Sequence, residues 1–173
     1  MKFRIAALLG ALVLASPVQA ERLKFDHRLS PALKAVFDAN DPGMIDFNDS
    51  NPRYVTDLIA IEGKSAKDWS EALLIVARTP DKKVRTVTEW VNELQQESQV
   101  RCASAFRTLA TDAGSATFER RSVGCPAGYP PVAVYRVIAG KRSLFLLGFM
   151  RKDEPAEATR QQWQAVLASA AID

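Results

Sequence analysis

The chain has 173 residues, 47% of them hydrophobic, with 23 basic against 20 acidic side chains and a formal net charge of +3. That length suits one domain with a core of its own. The basic pairs Lys82-Lys83, Arg120-Arg121, Lys141-Arg142 and Arg151-Lys152 are scattered among acids, so the basic stripe that nucleic-acid binding needs is missing and no nucleic-acid partner is expected.

At the start, Lys2 and Arg4 precede an uncharged apolar run, Ile5–Ala15, which is too short to span a bilayer as a helix. Pro17 then breaks it, and Val18-Gln19-Ala20 places small residues where a signal peptidase reads. The expectation is a signal peptide over 1–20, cleaved near Ala20, and a single α+β domain over 21–173, periplasmic or secreted. Removing the leader takes away two basic side chains and no acidic one, so the mature charge falls to +1. No later stretch is apolar for long enough to cross a membrane, and no stable membrane insertion of the mature chain is expected.

Glu21–Arg28 is polar and reads as an extended lead-in. Ser30-Pro31 followed by Ala32, Leu33, Val36 and Phe37 opens a short helix or forms a strand, and periodicity alone leaves both open. Asp38–Arg53, rich in Asp, Asn, Pro and Gly, reads as a loop. Strands are expected over Tyr54–Ile61 and Trp69–Arg78, separated by the polar turn Gly63–Asp68. Lys82–Gln99 is the clearest helix: Val84, Val87, Val91 and Leu94 form one apolar stripe, with Thr79-Pro80-Asp81 as its entry signal.

Cys102 and Cys125, the only two cysteines, bracket a hairpin turning at Thr111–Ser115, with strands Ala103–Ala110 and Ala116–Val123. A turn midway between the sulfurs brings them together, and in an oxidising compartment a disulfide is the expected result. It should stabilise the fold by roughly 3.4 kcal/mol on the chain-entropy argument. A second hairpin, from Val132–Ile138 to Leu144–Phe149, turns at Ala139–Arg142. Pro155 stops it, and Ala156–Ala171 places Trp163, Val166, Leu167 and Ala170 on one helical face. The expected fold is α+β: an antiparallel sheet of hairpin-connected strands packed with two main amphipathic helices, an α/β sandwich.

Gly63, then Asp68-Trp69-Ser70-Glu71, Cys102, Cys125, Arg136 with Gly140, and Trp163 follow in an order that resembles a group of small exported bacterial proteins without an assigned activity. Similar architectures occur in Mog1/PsbP-like α/β sandwiches, which are binding or assembly modules. The resemblance covers roughly residues 54–171. It implies a strand rather than a helix over Ala32–Ala39. The position three before Arg136, often acidic in that group, is Ala133 here. Trp69 and Trp163 read most simply as packing anchors.

Residue types with chemistry are few. His27, the only histidine, sits shortly after the leader in a stretch read as mobile, so no His-based triad or zinc site is expected. No phosphate-cradling glycine motif occurs, and no cofactor is expected. Glu154 and Glu157 could serve acid–base work, though acids at a helix start are more often dipole partners. Asp38, Asn40, Asp46 and Asp49 match positions one, three, nine and twelve of a calcium loop, with Gly43 at six. Pro42 stands at the fifth position and Asp49 replaces the usual glutamate, so the expectation is a solvated turn without metal. The function expected is a non-catalytic exported binding or assembly module for an unknown protein or small molecule of the envelope. A periplasmic inhibitor or immunity protein against a toxin is the alternative. A hydrolase using Glu62 and Glu71 is the third reading.

Overall fold

A computed structural model describes residues 21–48 and 54–173; the expected leader and Asp49 lie outside them. Twelve-residue β3 (Tyr54–Ser65) and β4 (Asp68–Arg78) form the first long hairpin. β5 (Ala103–Thr111) and β6 (Ser115–Val123) form the second, and β7 (Val132–Ala139) and β8 (Leu144–Arg151) the third. With β2 (Ile45–Asn48) they make one antiparallel seven-stranded sheet, ordered β2-β3-β4-β8-β7-β6-β5. Helix α2 (Val87–Arg101) packs on one face, while α1 (Pro31–Ala39) and α3 (Glu157–Ser169) share the other. The expected α+β sandwich is therefore the fold. No helix among the described residues is long and apolar enough to cross a membrane.

Alternation in the central strands sorts the two cores. Val132, Val134 and Ile138 of β7 face α1 and α3, whereas Ala133, Tyr135 and Val137 face α2, as the two-residue period of a strand requires. Tyr135 lies across Gly148, its register partner on β8, and its ring occupies the space a Cβ there would fill. Gly63 has φ 143, and a Cβ on it would run into the backbone of Asp68 and Trp69, so the Gly63…Trp69 spacing closes the β3–β4 hairpin.

Residues 31–39 are helical, against the strand that the resemblance implied. Local chemistry decides this: Ser30 Oγ accepts from the Leu33 N–H (3.3 Å), Pro31 takes the first helical position, and Asn40 at φ 48 ends the helix. Leu33 and Val36 are buried beneath it. The expected loop over 38–53 holds regular structure up to residue 48. Asp41 accepts from the Gly43 N–H (2.8 Å), a 3-10 turn follows over Pro42–Met44, and β2 then pairs Ile45 with Ile59.

Helix α2 begins at Val87 rather than at Lys82. Asp81 instead closes a loop by accepting from the N–H groups of Lys83 (2.7 Å) and Val84 (2.9 Å). The true start is a capping box: Thr86 Oγ1 accepts from the Glu89 N–H (3.2 Å), and Glu89 accepts from the Thr86 N–H (3.0 Å). Trp90, 1% exposed, is the main anchor of α2 on the sheet. At the ends of the described chain, β1 (Leu23–Lys24) pairs with β9 (Ala171–Ile172) as a separate two-stranded ribbon.

Candidate functional site

The two cysteines stand at disulfide distance, with their Cα atoms 4.9 Å apart, at the open end of the β5–β6 hairpin. A register shift between Thr108 and Ala110 moves the pairing by one residue, so Ala103 faces Val123. Left-handed Gly124 (φ 67) follows Val123, and Cys125 reaches Cys102 from there. The turn itself is set by Asp112, which accepts from the N–H groups of Gly114 (2.8 Å) and Ser115 (2.7 Å).

Beside this hairpin, three arginines converge on one carboxylate. Glu119 of β6, 3% exposed, accepts at Oε2 from Arg107 of β5 (2.7 and 3.2 Å). Its Oε1 accepts from Arg121 Nε (3.1 Å) and from Arg160 Nη1 of α3 (2.6 Å). Glu154 extends the network, bridging Arg121 through two 3.1 Å bonds and pairing with Arg160. Burial pushes the Glu119 carboxyl up. Hydrogen bonds from Arg107 and Arg160 and the charges of Arg121 and Arg107 outweigh that and hold it below the usual range. These residues line a groove of about 430 Å³ between the start of α3 and the β5–β6 hairpin. A hollow of about 360 Å³ over Ala105 adjoins it and shares Arg107, Glu119 and Arg121. The Arg107 side chain is 70% exposed and that of Arg121 48%, so each guanidinium is oriented by a carboxylate yet open to solvent.

A larger groove, about 880 Å³, lies near Tyr54, Arg78 and Asp81. Arg78 is only 9% exposed there: it bonds Asp81 (2.9 Å) and Glu93 and lies 5.8 Å from the Trp90 ring centroid. It ties α2 to the sheet and presents little to a ligand.

The other sequence candidates have structural partners. Glu71, 2% exposed, accepts from Trp163 Nε1 (2.9 Å) and Arg151 Nη1 (2.6 Å). Trp163 stacks on Phe149 at 5.6 Å. The Trp-Ser-Glu motif thus fastens α3 to β4 and β8. Glu62 pairs with Arg151 at 3.1 Å and accepts from Ser70 Oγ. Neither acid lines the three grooves. Glu154 and Glu157 do line the first, and Glu157 sits in the first turn of α3. Arg136 donates to the Leu167 (2.7 Å) and Ala168 (2.9 Å) carbonyls, capping the end of α3. Ala133 is fully buried opposite Arg120. His27 opens a 3-10 turn over His27–Leu29, and its ring packs 4.7 Å from that of Phe37.

The calcium-loop residues separate. Asp38 pairs with Lys34 inside α1, Asn40 ends that helix, and Asp46 lies in β2 opposite Leu58. Among the described residues no cluster of three or more His, Cys, Asp or Glu side chains could hold a metal ion. The Glu119 network was missed in the sequence, because its members lie at 107, 119, 121, 154 and 160. Only the hairpin register, which sets Arg107 opposite Glu119, could have signalled the first contact.

No family model and no curated protein sequence matches this chain. The functional reading therefore rests on the geometry.

Proposed function

We propose that the protein is a non-catalytic binding module acting outside the cytoplasm, with the arginine groove between α3 and the β5–β6 hairpin as its working surface. The observation that carries this is the buried Glu119 carboxylate holding Arg107, Arg121 and Arg160 in fixed orientations while Arg107 and Arg121 stay open to solvent. Arginine forks held this way suit carboxylates and other planar anions, since little rotamer freedom remains to be lost on binding. Glu119, Glu154 and Glu157 balance the three guanidiniums over the groove as a whole, and the positive excess is confined to the hollow over Ala105, where Arg107 and Arg121 face Glu119 alone.

Capture of envelope proteins on the immobilised chain tests the reading. The wild type should retain a partner that the Arg107→Ala/Arg121→Ala variant loses at least tenfold. Equal retention by both would remove the groove from consideration, and steady turnover of a substrate would replace binding with catalysis. An intact mass beginning at Glu21 in envelope-purified protein checks the compartment.

A further inference from the structure

β5 is an edge strand, and its outer edge is only partly closed. Among the described residues it pairs with β6 alone. At Ser104 the edge is covered by a side-chain amide: Gln99 of α2 donates to the Ser104 carbonyl, and its Oε1 lies 3.4 Å from the Ser104 N–H. Gln99 thus stands where a neighbouring strand would be. Ser122, opposite Ser104, directs its own N–H to Pro131 (2.8 Å), away from β5. The antiparallel alternation then fixes the rest: Phe106 and Thr108 also point their N–H and C=O groups outward. Among the described residues no partner for those groups is recorded.

The side chains beside this edge are graded. On the α3 face Ala103 and Ala105 are small and exposed, and the hollow over Ala105 is flanked by Arg107 and Arg121. A strand laid along β5 would place one residue directly opposite Ala105, in the closer type of antiparallel pair. Its side chain would enter that hollow between the two guanidiniums.

We propose that an extended peptide bearing a carboxylate adds as an eighth strand to the outer edge of β5, its acid seated over Ala105 between Arg107 and Arg121. Backbone bonds to Phe106 and Thr108 supply affinity, and the arginines supply selectivity. A second copy of this chain fits less well, because edge-to-edge pairing would bring two hollows, each with two guanidiniums to one carboxylate, onto one face, and the residue set opposite Ala105 would have to be an acid. The inference rests on the groove being the working surface, and adds the partner's conformation and charge.

The test is a selection from displayed random dodecapeptides against the purified, disulfide-bonded chain. Enriched peptides should carry Asp or Glu flanked at alternate positions by β-branched residues. A synthetic representative should weaken at least tenfold when its acid becomes the amide, and likewise against Arg107→Ala. Thr108→Pro removes an outward N–H without removing a bond to β6, and should weaken binding similarly. N-methylation of alternate peptide amides gives the same information without altering the protein. On binding, hydrogen exchange at Phe106 and Thr108 should slow at least tenfold.

Sensitivity to Arg107→Ala with indifference to Thr108→Pro and N-methylation would overturn strand addition and leave the groove standing. Indifference to all of them would remove both. Failure to enrich any acidic peptide overturns the inference while the envelope-capture experiment still judges the groove. Self-association of the wild type abolished by Thr108→Pro would identify a second copy as the occupant and overturn the acidic peptide.

Discussion

Glu119 shows how a single side chain can be both buried and charged. A lone carboxylate in that position would cost several kcal/mol to desolvate, and three guanidiniums offset the cost. Because its folded-state pKa is depressed, its contribution is fully present above the unfolded carboxylate value, about 4.3, and is lost as pH falls through the lower folded value. Melting temperature should therefore drop between pH 7 and pH 3, and drop less in Glu119→Gln. Parallel pH profiles for the two proteins would contradict this. Gly63 is the second sensitive position: Gly63→Ala forces a side chain into the hairpin backbone at φ 143. Urea unfolding should show a loss of about 1–3 kcal/mol.

Arg120 is a buried cation of another kind. It donates to Tyr129 Oη and to the Pro130 carbonyl (2.6 Å), lies 4.6 Å from the Tyr129 ring centroid, and leaves Nε without a partner among the described residues. Its register partner is Ala133, so no carboxylate faces it across the strands.

At the scale of elements, the legible parts were those whose signals are local or periodic. The β3–β4 and β7–β8 hairpins show in their apolar runs, and α3 shows in Trp163, Val166 and Leu167. The start of α2 was misplaced because Val84, 1% exposed, continues the apolar stripe into a loop. The Thr86-x-x-Glu89 signature marks the boundary, and the hydrophobic period runs past it. Trp90 escaped the valine stripe although it fills the same core. These two residues divide the work of the helix: Thr86→Ala should cost about 1 kcal/mol by chemical denaturation, and Trp90→Ala about 3–5. Equal losses would show that the cap, too, is coupled to the core. Short β2 was illegible because four residues gain meaning only against β3. The ion network was illegible for the same reason, since distant residues meet only through the sheet.

For the whole molecule, the cysteine pair clamps the open end of one hairpin and does not join distant elements. Reduction should lower thermal stability by roughly 3 kcal/mol, a sizeable part of a typical domain's 5–15. The groove residues Arg107, Glu119 and Arg160 are held by sheet and helix, so anion binding should survive reduction below the melting temperature. Loss of binding with the fold intact, followed by circular dichroism alongside titration, would place the clamp within the site.

Leu23–Lys24 is paired with Ala171–Ile172, and the whole seven-stranded sheet is encoded between them. In order of synthesis, the first strand of the described chain is therefore the one that waits longest for its mate. All three hairpins can close as they emerge, but the ribbon can be tied only after α3 has been made. Closure of the ribbon is thus coupled to synthesis past residue 172: a polypeptide halted before residue 171 can pair its hairpins and still leave Leu23–Lys24 without its mate, open to proteases that the paired ribbon would exclude.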